Sequence, residues 1–233
     1  MSYFNFKQFK IKHEQSFKVG TDGVLLGCWV SLDHKPQSIL DIGTGSGLIA
    51  LVLAQRSEAH VTGVELDEKA SEEANFNRLQ SPWASRLMIE NVLIQEYDPA
   101  KKFDLIVSNP PYFKNSTKSG NQQKDQARHT DTLSFEDLLK QSKRLLTASG
   151  KLNVVLPTME AEELIGLAPD QGLYLERVCR VFPKRDKAVA RYLMTFGQEN
   201  KTLEQTELVI QYEGRNNYTE EYIALTKAFY TIL

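Results

Sequence analysis

One short stretch of the chain could bind and activate an amine. The segment Asn109-Pro110-Pro111-Tyr112 directly follows an apolar, strand-like run. Because prolines fix φ and remove backbone donors, this loop is rigid and presents carbonyl acceptors. The amide oxygen of Asn109 and the carbonyl of Pro110 could hold both hydrogens of a planar exocyclic amine, which would free its lone pair. Tyr112 offers a ring for base stacking, worth about 1–3 kcal/mol; the alternative interpretation is a stiff loop with a capping Asn.

A second candidate site precedes it, where the glycine-rich segment Asp41–Gly47 separates an apolar run from a helix-like segment. Its glycines, at positions Gly43, Gly45 and Gly47, permit a tight turn and a close approach of ligand to backbone. Asp41 would repel a pyrophosphate but could attract a cationic group through water or amides. Glu65 ends the next strand-like run, where a carboxylate can accept both hydroxyls of a ribose. A glycine loop alone is also found in dehydrogenases and in plain turns.

The elements that must position these residues alternate between strand-like and helix-like patterns. We predict seven strands, at Ser38–Ile42, His60–Glu65, Leu87–Leu93, Phe103–Ser108, Leu152–Leu156, Val178–Pro183 and Ala190–Phe196. Helices are expected over Leu48–Gln55, from the cap Asp67 to Leu79, and from the cap Ser134 to Leu146 with Gly150 as the stop. The alternation predicts an α/β protein with a mostly parallel sheet, helices on both faces and a closing antiparallel pair. Ligands of such sheets bind at the carboxyl ends of the strands.

The two motifs together resemble class I S-adenosylmethionine-dependent methyltransferases with a Rossmann-like fold. The resemblance implies that the amino-acid part of the cofactor lies over the backbone of Gly43–Gly47, and that Glu65 holds the ribose. The family often has an Asp after the third strand that binds the cofactor's adenine, whereas the matching position here is Leu93. Backbone amides, Asn91 or Gln95 could take its place. Asn109–Tyr112 is typical of amino-methyltransferases, which implies catalytic roles for Asn109, Pro110 and Tyr112, with Asn109 also next to the cofactor.

Further segments narrow the resemblance to the tRNA(Val) adenine-37 N6-methyltransferase family. They are Lys18–Trp29, Ala127-Arg128-His129 and Tyr218–Tyr230, and the resemblance covers about Phe6 to Tyr230. It implies methylation of the N6 amine of an adenine in the tRNA anticodon loop, with the base leaving its stack to enter the pocket. Proximity and in-line alignment would supply most of the catalysis, without an obvious general base.

The same resemblance suggests further site residues. Thr21 and Asp22 could reach the charged end of the cofactor, although they could equally be only the start of a helix that follows a turn at Gly20 to Gly23. We expect the long polar loop at about 113–132 to form a lid over the substrate, with Arg128 and His129 near the target phosphate or base. Lys184 and Arg185 are further candidates for binding the substrate.

The resemblance also suggests how the chain is divided. We expect one methyltransferase domain over 1–233. In it, a segment at 1–36 covers cofactor and substrate, and a Rossmann-like core spans 37–233.

Composition excludes several classes of protein. Hydrophobic residues make up 41% of the 233 residues, and no apolar run approaches the roughly 18 residues of a membrane span. Cys28 and Cys179 indicate neither a disulfide framework nor a metal site. We therefore expect a cytoplasmic monomer with no metal and no membrane partner.

The charge bears on the tRNA partner. The net charge of −2 argues against a general polyanion binder, but segments 1–18, 101–128 and 184–191 carry +10 against −12 for the remainder. We predict that these segments gather into a basic face that binds RNA; the alternative interpretation is that they are ordinary solvated surface.

Two alternative functions stay open at this point. A nicotinamide-dependent dehydrogenase or a binding module could use the same glycine loop, but would leave Asn109–Tyr112 without a role. Another amino-methyltransferase could modify guanine N2 in RNA or a protein glutamine amide. The glutamine enzymes carry an additional N-terminal helical domain, for which we expect no room before residue 41.

Overall fold

The computed structural model describes residues 2–14, 19–111, 133–214 and 216–231. The described strands are β1 (Tyr3–Asn5), β2 (Lys10–Lys12), β3 (Ser38–Ile42), β4 (His60–Glu65), β5 (Leu87–Asn91), β6 (Phe103–Ser108), β7 (Leu146–Leu156), β8 (Tyr174–Lys184), β9 (Arg191–Gly197) and β10 (Glu204–Gln211). The described α-helices are α1 (Thr21–Trp29), α2 (Leu48–Arg56), α3 (Glu68–Leu79), α4 (Phe135–Leu145), α5 (Thr158–Leu167) and α6 (Glu220–Thr226).

The large sheet contains eight described strands in the order β10-β8-β9-β7-β6-β3-β4-β5. Only β9 runs antiparallel to its neighbours, β7 and β8, so the mostly parallel sheet with a closing antiparallel pair is confirmed. The predicted number of seven strands is one too low, because β10 pairs in parallel with β8. The first half of β10, Glu204–Glu207, is polar and exposed and shows no apolar alternation that would have revealed a strand.

Helices cover both faces of the sheet, as predicted. On one face α1 and α2 form a core with residues such as Leu26, Leu51 and Val107. On the other face α4 and α5 form a second core that includes Leu139 and Leu164. Each face of the sheet is apolar because each is buried under helices, which explains the continuous apolar runs of the central strands.

The two predicted helix caps are confirmed. The side chain of Asp67 accepts a hydrogen bond from the amide of Ala70, and that of Ser134 accepts one from the amide of Asp137. Such caps satisfy N–H groups that have no partner inside the helix.

Two glycines were assigned wrongly. Gly150 does not stop α4 but lies inside β7, where a side chain would meet the carbonyl oxygen of Phe103 at 2.8 Å. Gly23 lies in α1 rather than in the turn before it.

Gly27 allows α1 to pack closely on α2, and it leads to a stability prediction. A Cβ at this position would lie 2.7 Å from Cγ1 of Val52. We expect Gly27→Ala to lower the free energy of unfolding by about 1–2 kcal/mol, because overpacking outweighs the gain in helix propensity. Gly166 of α5 is the matched control, since a Cβ there meets nothing within 4 Å. Gly166→Ala should raise stability by up to about 1 kcal/mol. Urea denaturation measures the free energy of unfolding of both variants. Equal values for Gly27→Ala and Gly166→Ala would refute the packing argument.

The two ends of the described chain pack together. Strands β1 and β2 form an antiparallel hairpin. Phe6 forms a bridge with Tyr230, and the amide of Lys7 donates to the carbonyl of Phe229. The rings of Phe6 and Phe9 stack with centroids 4.6 Å apart. None of the described helices is long and apolar enough to span a membrane.

Candidate active site

The carboxyl ends of three central strands meet at one point. Ile42 at the end of β3 is paired with Val64 of β4 on one side and with Ser108 at the end of β6 on the other. The chain proceeds from β3 through β4 to β5 in one direction, and β6 and β7 extend the sheet in the other. This is the topological switch point, where open α/β sheets bind their ligands.

A cleft with an empty volume of about 660 Å³ opens at this point. The residues that line it come from the ends of β3, β4 and β6, from the segment after β5 and from the residue pair before α4: Ile42, Gly43, Val64, Glu65, Leu66, Val92, Leu93, Ile94, Gln95, Ser108, Pro110, Pro111 and Leu133.

The glycine loop has the backbone geometry that only glycine adopts easily. Gly43, Gly45 and Gly47 have φ values of +70°, +55° and +81°. A Cβ at Gly43 or Gly45 would meet nothing within 4 Å, whereas one at Gly47 would lie 3.6 Å from Ala74 of α3. The first two glycines therefore leave open space in which a ligand can approach the main chain, whereas at the third a Cβ would make an ordinary contact and only the positive φ favours glycine.

Glu65 is fixed against this loop. Its Oε2 accepts a hydrogen bond of 2.9 Å from the amide of Gly45, and its Oε1 accepts one of 3.1 Å from the amide of Asp67. The side chain is half-buried and lines the cleft. Each carboxylate oxygen retains acceptor capacity, so the pair is placed to accept two vicinal hydroxyl groups.

Asp41 lies beneath the loop and is fully buried. Its Oδ2 accepts hydrogen bonds from the hydroxyl of Thr44 and the amide of Ala50, at 2.7 and 3.1 Å. These bonds tie the loop to the first turn of α2. Burial, together with the nearby Glu65, outweighs the two hydrogen bonds and raises the pKa of the Asp41 carboxyl to about 7. Asp41 is not among the cleft-lining residues, so attraction of a cationic group remains a prediction.

The raised pKa of Asp41 predicts a specific dependence of stability on pH. Between about pH 4 and 7 the folded state binds this proton and the unfolded state does not, so unfolding becomes easier as pH rises through that window. Asp41→Asn removes this contribution. We expect the free energy of unfolding of Asp41→Asn, minus that of the wild type, to increase by about 2–3 kcal/mol from pH 5 to pH 8. Urea denaturation at both values measures it; a pH-independent difference would show that Asp41 titrates normally.

The wall opposite the loop is apolar and begins where β5 ends. Leu93 is half-buried, and its carbonyl accepts from the amides of Glu96 and Tyr97 to form a turn. The side-chain amide of Asn91 donates to the carbonyls of Glu65 and Leu66, so it holds the end of β4. Of the two polar side chains considered for the cofactor's adenine, only Gln95 lines the cleft.

The described part of the motif that is predicted to bind an amine, Asn109–Pro111, follows β6 directly. Ser108 is buried, and its hydroxyl donates to the carbonyl of Ile42, which locks the end of β6 to β3. Asn109, the residue after Ser108, is half-buried. Pro110 is buried and Pro111 is exposed, and both prolines line the cleft. Tyr112 lies outside the described residues. Ser108 and Leu133 also line the cleft. The sequence did not predict them as site residues, because neither residue type in these positions indicates a chemical role.

The remaining candidates fall into three groups. Thr21 is exposed at the start of α1, and Asp22 pairs with Nε of Arg191 at 2.7 Å, which ties α1 to β9. Lys184 and Arg185 follow the carboxyl end of β8, on the same edge of the sheet as the cleft. Arg128, His129 and the proposed lid at 113–132 lie outside the described residues.

The basic face needs one correction. Lys101 and Lys102 precede β6 and therefore lie at the amino edge of the sheet, away from the cleft. The segment 101–128 contains the whole of β6, so its two ends lie at opposite edges of the sheet. Its basic residues therefore do not form one surface. Among the described residues no group of His, Cys, Asp or Glu is arranged to hold a metal ion.

Comparison with known proteins agrees with this site. Residues 23–166 match the family model described as "Methyltransferase small domain". The chain is 45% identical to a tRNA1(Val) (adenine(37)-N6)-methyltransferase of Pseudoalteromonas translucida, covering 99% of each chain. It is 43% identical to the protein of the same name in Flavobacterium psychrophilum, covering 97% of this chain and 98% of the relative.

Solved structures confirm the fold. A predicted O-methyltransferase of Agrobacterium tumefaciens superposes with a TM-score of 0.68 at 20% identity, covering 89% of this chain and 96% of that one. A glycopeptide N-methyltransferase superposes with a TM-score of 0.58 at 11% identity, covering 76% and 91%. The extent of the family match and the identity to full-length relatives settle the assignment: this chain belongs to the methyltransferase small domain family, in the group of the tRNA1(Val) (adenine(37)-N6)-methyltransferases.

Proposed function

We propose that this enzyme uses S-adenosylmethionine to methylate the N6 amine of adenine 37 in the anticodon loop of tRNA1(Val). The observation that carries the proposal is the position of Asn109 and Pro110, directly after β6 and next to the cleft that the glycine loop and Glu65 build. The names of the full-length relatives support the same substrate.

The described residues fit the cofactor. Open space at Gly43 and Gly45 admits its amino-acid part along the main chain. The carboxylate of Glu65 accepts the ribose hydroxyls, and the apolar wall at Val92–Ile94 packs against the adenine, with Gln95 offering an amide at its edge. When bound, S-adenosylmethionine supplies an electrophilic methyl group on a sulfonium, which departs as a neutral thioether.

The motif after β6 orients the nucleophile. The amide oxygen of Asn109 and the carbonyl of Pro110 accept the two amine hydrogens of the target base. Their geometry favours a pyramidal nitrogen whose lone pair faces the methyl group, and alignment of this kind accounts for most of the rate. Tyr112 stacks on the base. An adenine in a single-stranded loop enters such a pocket at low cost, because it has little stacking to lose.

Several finer points are part of the proposal. The enzyme acts as a cytoplasmic monomer without a metal ion, and the lid at 113–132 closes over the substrate through Arg128 and His129. Lys184 and Arg185 contact the RNA backbone, so the affinity for tRNA falls steeply with salt. The segment 1–36 covers the cofactor and the substrate, which the core at 37–233 binds.

Labelled methyl transfer tests the proposal and separates it from its alternatives. The enzyme is incubated with labelled S-adenosylmethionine and bulk tRNA that lacks the modification, and the nucleosides are then analysed. We expect the label in N6-methyladenosine. Label in a methylated guanine would select the guanine N2 alternative, and label in a protein glutamine would select the glutamine alternative. Tight binding of a dinucleotide but not of S-adenosylhomocysteine would overturn the methyltransferase assignment.

A further inference from the structure

Besides Ser71, helix α3 buries two larger polar side chains that the reaction described above does not use. Glu73 and Asn77 are 4% and 1% exposed, although the helix carries many charged residues. They are four residues apart and therefore lie on one face of the helix. Burying an amide or a carboxylate is costly unless it is hydrogen-bonded, so their partners indicate what they do.

Asn77 binds two separate segments of main chain. Its Oδ1 accepts from the amide of Lys12 at 2.8 Å, and its Nδ2 donates to the carbonyl of Lys12 at 2.9 Å. The same Nδ2 donates to the carbonyl of Ser46 at 2.9 Å. Three hydrogen bonds thus join the last residue of β2 to the glycine loop through one side chain. Glu73 supports the same contact, because its Oε2 accepts from the amide of Glu14 at 2.6 Å.

Ser46 lies between Gly45 and Gly47, the loop residues with positive φ. Its carbonyl is held by Asn77, while the amide of Gly45 is held by Glu65. The peptide units on which the cofactor would rest are therefore fixed from two sides. Glu65 acts from the cleft, and Asn77 acts from α3, where it also binds the N-terminal hairpin.

The far end of that hairpin is fixed independently. Phe6 bridges to Tyr230, and Nζ of Lys7 donates to the carbonyl of Lys227 at 2.6 Å. The hairpin is thus held between the C-terminal residues and α3. Its contact with α3 is also its contact with the glycine loop.

We propose that Asn77 is a positioning residue that couples the N-terminal hairpin to the cofactor-binding loop, so that cofactor affinity depends on the docked hairpin. The proposal rests on the assignment of the cleft to S-adenosylmethionine. Coupling between two sites is reciprocal, so cofactor binding must in turn stabilise the docked hairpin.

Calorimetric titration with S-adenosylhomocysteine tests the first half. Asn77→Ala should raise its Kd about 5- to 20-fold. Asn77→Asp, which keeps one acceptor but faces two carbonyl oxygens, should be at least as impaired. The matched control is Asn75→Ala on the same helix, since the one hydrogen bond of Asn75 Oδ1 found within the described ranges comes from Nε of Arg78, also in α3. Its Kd should stay within about twofold of the wild type. At saturating cofactor, kcat of the Asn77 variants should stay near the wild-type value.

Hydrogen exchange tests the reciprocal half, and its first measurement uses the wild type alone. S-adenosylhomocysteine should slow amide exchange at Lys12 in the wild type, and this protection should be lost in Asn77→Ala. A purely structural Asn77 would lower stability but leave the ligand-dependent protection intact, and that result would overturn the proposal. Wild-type affinity in Asn77→Ala would overturn it too. A wild type that does not bind S-adenosylhomocysteine would instead overturn the proposed function.

Discussion

Replacing Asn109 by alanine is expected to reduce kcat by at least about 100- to 1,000-fold while the Kd for S-adenosylhomocysteine changes less than about threefold. The variant removes the side-chain acceptor that we propose to orient the amine, an interaction made most strongly in the transition state. The contacts proposed for the cofactor, at the glycine loop and Glu65, remain. Single-turnover methylation of tRNA and calorimetry measure the two quantities on the same preparation.

The control for Asn109→Ala is the exposed Asn200, which follows β9. Asn200→Ala should leave both quantities unchanged. If Asn109→Ala retained near wild-type activity, Asn109 would not hold the amine, and the assignment of the motif would fail. A large loss of cofactor affinity would instead place Asn109 mainly in the cofactor site.

Replacing Glu65 by alanine should have the opposite pattern. We expect the Kd for S-adenosylhomocysteine to rise about 10- to 100-fold, because hydrogen bonds to a charged group contribute about 1.5–3 kcal/mol. The amide of Gly45 also loses its acceptor, so part of the loss comes from the loop. At saturating S-adenosylmethionine, kcat should recover most of its wild-type value.

The control for Glu65→Ala is Glu68, an exposed acidic residue in the first turn of α3. Glu68→Ala changes the net charge equally but leaves the cleft intact, and its Kd should match the wild type. Glu65→Gln keeps one acceptor and should be intermediate. An unchanged Kd in Glu65→Ala would refute the ribose assignment.

The main features of this site were predictable because they are local in sequence. Positive φ favours glycine, so the spacing of Gly43, Gly45 and Gly47 predicts the turn directly. The strand ends at Glu65 and Ser108 follow from apolar runs, and parallel strands bring their carboxyl ends to one edge.

The rest depended on contacts between distant segments. Asn77 looks like an ordinary polar helix residue, and only the fold shows that it joins residues 12 and 46. Composition could not show that Lys101 lies at the opposite edge from the cleft. The sequence did not predict β10, because an edge strand with solvent-exposed polar residues lacks the apolar pattern of a core strand.

Mapping of the methylated position in tRNA1(Val) tests the central claim most directly. An unmodified transcript is incubated with labelled S-adenosylmethionine and either the wild type or Asn109→Ala, then digested and sequenced by mass spectrometry. The account predicts N6-methyladenosine at position 37 with the wild type and none with Asn109→Ala. Methylation at a different position or base, or equal methylation by both proteins, would contradict it.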